Sequence, residues 1–183
     1  SVGLYIFFFT SGYLVSMSAT RSKSPWQFLQ KRVLRIYPAL ITLTILSVFI
    51  AGPLLTKFSL RNYFAERDTW QYLWTATGFK IRFRLPGVFE QSQFPMAGFN
   101  GSLWSLTLEL ELYTFLFVLL VVGLFKNQKW LMISLTSMLV VCVLLSAVDV
   151  QSALLPNGKS LLLAATFLFG AILQNGFIQK KYF

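Results

Sequence analysis

Ser105, Glu109 and Tyr113 follow one another at i, i+4 and i+8, which on a helix puts a hydroxyl, a carboxylate and a phenol in one line. They lie inside Leu103 to Phe125, a predominantly apolar run. Such a run is long enough to cross a bilayer, since about 20 residues at 1.5 Å rise span a hydrocarbon core roughly 30 Å thick. A carboxylate at that depth is costly and marks a functional site by default. Glu111 sits in the same run, but about 200° around the helix from Glu109. Both cannot point into one narrow cavity, so we take Glu109 as the functional carboxylate and Glu111 as one that is ion-paired or protonated. The chain has no histidine, so the usual near-neutral proton carrier is absent. Either the chemistry needs none, leaving Glu109 the first candidate base, or that residue lies on another part of the molecule.

The second cluster is Lys31-Arg32-Val33-Leu34-Arg35. Guanidinium groups are planar forks that bind phosphates bidentately, so Arg32 and Arg35, one helical turn apart, could hold a diphosphate. Plain charge anchoring at the inner membrane surface fits the same residues, and spacing alone does not decide between the two. No Walker loop, Rossmann fingerprint, zinc motif or nucleophile elbow occurs, so those enzyme classes and a metal site have no support. The single cysteine, Cys142, lies within an apolar run and reads as a small packing residue.

These groups must be carried by membrane-embedded helices. The chain is 56% hydrophobic and 12% charged, with a mean hydropathy of +0.65, where a soluble domain carries about 25% charged residues. Apolar runs cover Val2 to Met17, Tyr37 to Leu55, Leu103 to Phe125, Trp130 to Val148 and Ser160 to Ile178. We expect an all-α, polytopic transmembrane helical bundle of about five crossings. Residues 1–183 read as a single transmembrane domain, with no internal repeat and no second soluble domain. Thr10, Ser11 and Gly12 interrupt the first run and form a notch where another helix can approach closely. Ser24-Pro25-Trp26 starts a short amphipathic stretch on the inner interface, and Tyr37-Pro38 opens the next crossing. Thr69 to Phe79 is aromatic-rich but only about half a span, so it reads as an interfacial or re-entrant helix. It belongs to a long loop, Thr56 to Asn100, that roofs an outer cavity, with Pro86-Gly87, Pro95 and Gly98 marking irregular backbone.

The net charge of +10 is a topology signal and not a nucleic-acid footprint, because the basic residues sit where loops meet the membrane. Arg21, Lys23, Lys31, Arg32 and Arg35 crowd the first loop, Lys126 and Lys129 the third, and Lys180 and Lys181 the end, with no acidic residue nearby. Placing these in the cytoplasm makes the chain start outside, cross five times and end inside. A chain that starts on the outer side at Ser1 implies an earlier crossing upstream, and the ending at Phe183 could likewise be internal to a longer protein.

Three stretches together resemble the membrane-bound acyltransferase 3 family, which acylates sugars of cell-surface polysaccharides. Phe7-Phe8-Phe9-Thr10-Ser11-Gly12-Tyr13-Leu14 is similar to its Phe-rich, Ser-Gly-Phe-Leu helix. Arg32-Val33-Leu34-Arg35-Ile36-Tyr37-Pro38 is similar to its Arg-x-x-Arg motif running into Ile-x-Pro. Asn100-Gly101-Ser102-Leu103-Trp104-Ser105-Leu106-Thr107-Leu108-Glu109 is similar to its Asn-Gly-Ser-Leu-Trp-Ser/Thr-Leu-x-x-Glu segment. The resemblance implies an O-acyltransferase of the bacterial inner membrane. It would move an acyl group, usually acetyl, from cytoplasmic acyl-CoA to a hydroxyl of an extracytoplasmic or lipid-linked glycan. Acyl-CoA is then a co-substrate, with no tightly bound cofactor, and the partners are membrane lipids, acyl-CoA and the glycan acceptor. By motif match Arg32 and Arg35 contact the donor phosphates and Glu109 is the catalytic carboxylate. Ser11, Asn100, Ser102, Trp104, Ser105 and Tyr113 are expected to line its pocket. The family places an Arg and a catalytic His on a helix preceding the Ser-Gly motif, so these 183 residues are expected to be inactive alone. A transporter or flippase would also explain Glu109 but leaves Arg32 and Arg35 incidental, and a non-catalytic scaffold needs no buried carboxylate; acyl-CoA binding separates the first reading from both.

Overall fold

The computed structural model describes residues 2–78, 81–88, 100, 103–147 and 158–181, with side chains through residue 177. Among the described residues all regular structure is helical. Five of the described helices are long and apolar enough to cross a membrane: Val2–Thr20, Pro25–Leu55, Trp104–Val121, Gln128–Ala147 and Gly158–Phe177. They match the five apolar runs. Many of their large side chains, among them Ile45, Val118, Val141 and Leu144, face away from the rest of the chain, as lipid-facing surfaces do. The chain divides into two compact units, residues 1–30 with 111–183, and residues 31–110.

The first unit contains α1 (Val2–Thr20), the later part of α6 (Trp104–Val121), α7 (Gln128–Ala147) and α8 (Gly158–Lys181). Lipid tails are as apolar as leucine, so small and polar residues must decide which helix packs on which. On α1, a Cβ added to Gly12 would run into the carbonyl group of Phe167 on α8, 2.7 Å from its carbon and 3.0 Å from its Cα. On α8, a Cβ added to Gly170 would meet the carbonyl oxygen of Phe9 and lie 3.0 Å from the Tyr13 nitrogen. The two helices therefore meet backbone to backbone at the notch expected from Ser11-Gly12. Next to that contact, Asn175 Nδ2 donates to Ser16 Oγ at 2.7 Å and to the Ala171 carbonyl at 2.8 Å. Gln128 Nε2, at the start of α7, donates to the Asn175 carbonyl at 2.9 Å. Phe8, Val15, Leu131, Leu135, Phe167 and Leu168 fill the interior between these polar ties.

The second unit begins within α2 (Pro25–Leu46). Ser24 caps this helix, its Oγ accepting from the Gln27 nitrogen at 3.2 Å, and Pro25 occupies the first turn, where no N–H is needed. The sequence places a surface stretch before Arg35 and a separate crossing opening at Tyr37-Pro38. The structure has one continuous helix with Pro38 inside it. Proline keeps a helical φ and forfeits only the bond to the carbonyl four residues back, so the amphipathic stretch and the crossing are two ends of the same helix. A π-helical turn, Ser47–Ala51, and α3 (Gly52–Leu55) continue the span.

Beyond it, α4 (Leu60–Ala65), α5 (Arg67–Gln71) and a 3-10 turn over Tyr72–Thr77 follow in short steps. Each is far too short to cross; of the single interfacial helix expected over Thr69 to Phe79, residues 69–77 are divided between α5 and the 3-10 turn, and Phe79 lies outside the described residues. Ser59 caps α4 by accepting from the Asn62 nitrogen at 3.3 Å. Val48, Tyr63, Tyr72, Leu85 and Val88 form the core, with Phe64 and Leu73 packed against it. The returning segment 81–88 is held by Thr56 Oγ1, which donates to the Pro86 carbonyl at 2.9 Å, and by the Lys57 nitrogen, which donates to the Gly87 carbonyl at 3.1 Å. Gly87 has φ 72°, a left-handed value that glycine adopts without strain. Pro95 and Gly98 lie outside the described residues.

Candidate functional site

Asn100 opens the polar turn that leads into α6. Its carbonyl accepts from the Leu103 nitrogen at 3.1 Å, and the helix proper starts at Trp104. Trp104 is exposed and Ser105 half-buried. Glu109, one turn further along the same face, is 7% exposed, whereas Glu111 is exposed. Tyr113 completes the line as a buried residue. In the first unit, Ser11 Oγ and Tyr113 Oη lie 3.3 Å apart in a buried hydrogen bond. The Tyr113 ring also packs near that of Phe167, with centroids 6.3 Å apart. The family-like Ser-Gly pair on α1 thus does two jobs, Ser11 binding a phenol and Gly12 admitting α8.

The second unit holds Arg32 and Arg35 on α2 and Asn100, Trp104, Ser105 and Glu109 at the beginning of α6. Arg32 is half-buried and Arg35 exposed, one turn apart on α2. Ser102 lies outside the described residues. The half-buried Asn100 directs its side-chain amide at two hydroxyls: Nδ2 donates to Tyr72 Oη at 2.7 Å and to Ser47 Oγ at 3.0 Å. Ser47 Oγ in turn donates to the Leu43 carbonyl at 2.7 Å.

Tyr72 is fully buried. Burial pushes its phenol above the ordinary value of 10.0, with hydrogen bonds to Asn100 and Ser47 pulling the other way. Tyr63 is raised too, first by burial and then by its neighbour Tyr72, with Thr69 opposing. Both phenols are neutral at physiological pH, so the second unit is cross-braced by uncharged hydrogen bonds. Tyr63 Oη donates to the Val48 carbonyl at 3.1 Å. Gly52 lies directly beneath that ring, since a Cβ there would collide with the Tyr63 hydroxyl and sit 2.6 Å from Cζ. Ser47, Gly52, Tyr63 and Tyr72 escaped the sequence reading because the π turn that gathers them has no spacing signature. The only hint in the sequence is a serine in the apolar run Tyr37 to Leu55.

A buried carboxylate near the start of a membrane helix can orient or deprotonate a hydroxyl, and an arginine pair can hold phosphates. Comparison with known proteins bears on what such a chain belongs to. The family model for the acyltransferase domain, acyltransferase 3, matches residues 1–180. An O-acetyl transferase of Shigella phage Sf6 is 39% identical over 115 residues, which is 61% of this chain and 32% of that protein. Nodulation protein 10 of Rhizobium leguminosarum bv. viciae is 37% identical over 128 residues, 64% of this chain and 32% of that protein. The chain spans about a third of the length of these curated relatives. No solved structure matches it significantly. Motifs, membrane helices and a family match over nearly the whole sequence agree, and the chain belongs to the acyltransferase 3 family.

Proposed function

We propose that the protein carrying this chain is an integral-membrane O-acyltransferase of the bacterial inner membrane. It takes an acyl group, in the simplest case acetyl, from cytoplasmic acyl-CoA and gives it to a hydroxyl of an extracytoplasmic or lipid-linked glycan. The observation that carries the proposal is Glu109, a carboxylate buried at 7% exposure on an apolar helix in a chain of this family. Burying that group without a use would be costly. In the reaction the acceptor oxygen attacks the thioester carbonyl, a C–O bond forms, the C–S bond breaks, and the hydroxyl proton ends on the CoA sulfur. Arg32 and Arg35 hold donor phosphates through their planar forks. Glu109 hydrogen-bonds the acceptor hydroxyl and aligns it for attack, with Ser105 one turn before it on α6. On this reading the chain alone is inactive, because it contains no histidine to accept the hydroxyl proton.

Replacement of Glu109 by Gln in the full-length protein tests this reading, because it nearly preserves shape and removes the charge. Acyl transfer from acyl-CoA should fall by at least about 100-fold, the scale of a lost acid–base or charged orienting group, with normal membrane insertion. Glu111→Gln should retain most of the activity. Parent-like transfer by Glu109→Gln would refute the assigned role. A parent that binds no acyl-CoA would overturn the reading as a whole.

A further inference from the structure

Tyr72, the π turn that follows α2, and Asn100, the first residue of the family-like Asn100 to Glu109 segment, form one connected unit. The turn is anchored from both sides. The Gly52 nitrogen donates to the Ser47 carbonyl, closing the π-helical register, and the Val48 carbonyl accepts the Tyr63 hydroxyl at 3.1 Å. π turns of this kind recur at functional sites because the extra residue turns a side chain out of the regular helical face. Here the residue presented is Ser47, 2% exposed, and opposite it stands Tyr72, 0% exposed. Asn100 inserts its amide between them and spends both of its N–H hydrogens there, at 3.0 Å and 2.7 Å. Its carbonyl then starts the turn into α6 by accepting from Leu103 at 3.1 Å.

We infer that Ser47 and Tyr72 are positioning residues that clamp Asn100 and thereby fix the start of α6, setting the depth and rotation at which Glu109 meets its substrate. The inference rests on the acyl-transfer reading for its catalytic consequence, but the clamp itself is independent of it. A helix is stiff over the six residues from Trp104 to Glu109, so displacement of its first turn carries directly to the carboxylate. Misplacement of about 1 Å is enough to cost a reaction up to about 100-fold.

The experiment uses the full-length protein with Ser47→Ala, Tyr72→Phe and Asn100→Ala, alone and combined, and counts folded molecules by their acyl-CoA binding sites. Each single variant should lower kcat per donor site by about tenfold or more while the donor KM stays within about twofold. In the Asn100→Ala background, adding Ser47→Ala and Tyr72→Phe should change kcat no further, because both act through the same amide. Thr42→Ala, which removes a hydroxyl bonded to the Pro38 carbonyl of its own helix, should behave like the parent. Parent-like kcat in the clamp variants, or losses that add fully to that of Asn100→Ala, would overturn the inference. A second measurement separates it from the functional reading: a cysteine placed at Trp104 in a Cys142→Ala background should react faster with a maleimide when Ser47 or Tyr72 is altered. If the parent transfers no acyl group, the functional reading fails and this labelling rate alone decides. An unchanged rate refutes the clamp.

Discussion

Substituting Gly12 by Ala adds one methyl group at the place where α1 and α8 touch. The new Cβ would lie 2.7 Å from the Phe167 carbonyl carbon, where ordinary contact begins at 3.4 Å. The carbonyl oxygen lies nearer still, so the helices must part by more than roughly 0.7 Å, the difference between those two distances. The obstructing atoms are backbone, so no rotamer change relieves the clash and a whole helix must shift. Overpacking of this kind costs about 1–3 kcal/mol, and we expect Gly12→Ala to fall at the upper end, near 3 kcal/mol. Separation also stretches the 2.7 Å hydrogen bond from Asn175 to Ser16, which spans the same helix pair. Gly170→Ala presses on Phe9 and Tyr13 from the other side and should cost a similar amount. Once one methyl has opened the interface the second finds room, so the double variant should lose about 1 kcal/mol or more less than the sum. Equilibrium unfolding in detergent, followed by loss of helical circular dichroism, measures all three. Gly3→Ala and Gly176→Ala are the controls, since an added Cβ there meets nothing within 4 Å. A Gly12→Ala protein as stable as these controls, or a fully additive double variant, would refute the backbone-contact argument.

Replacing Arg32 and Arg35 by Lys keeps the charge but removes the bidentate fork, so acyl-CoA affinity measured by calorimetry should fall about tenfold or more, while undiminished binding would leave the pair a membrane anchor. Single cysteines at Lys23 and Arg61, both exposed, in a Cys142→Ala background should differ in labelling by an impermeant maleimide in intact cells, with Arg61 the accessible side; equal labelling would reject the threading. Burial raises the phenols of Tyr63 and Tyr72, so their contribution is fully present below the unfolded value of about 10 and is lost above it, where the unfolded chain sheds protons that the fold retains. Unfolding measured against pH should show Tyr72→Phe losing less stability than the parent on going above pH 10, and an identical slope would contradict that assignment.

Much of the architecture was legible because a membrane imposes a coarse rule. Length and apolarity alone locate five spanning helices, and the structure agrees with each run to within a few residues at most ends. The exception is α2, where a proline after a basic stretch reads as a helix start. Proline has the φ a helix needs, so its position within a helix depends on flanking residues forming the remaining bonds. The glycine notch on α1 was legible as a packing feature, but its partner, the backbone of Phe167, was not, because helix pairing is a property of two distant stretches. Glu109 stood out by type and depth. Ser47 and Tyr72 did not, for a polar side chain in an apolar run announces a hydrogen bond without naming its partner.

The family-like stretches of this chain carry packing contacts beside their candidate catalytic group. In Phe7 to Leu14, Ser11 reaches Tyr113 at 3.3 Å and Gly12 admits α8, which are two packing roles. In Asn100 to Glu109, the asparagine is spent on Ser47 and Tyr72, and only the far end carries a buried charge. Such a division follows from where the chemistry must occur. A carboxylate in hydrocarbon is tolerable only in a defined surrounding, since each ångström of displacement changes which polar groups and how much water it meets. On the acyl-transfer reading, the residues that fix the carboxylate's helix are as necessary to its role as the carboxylate itself. A segment that opens on a clamped asparagine and reaches a glutamate through a rigid helix joins both requirements in ten residues.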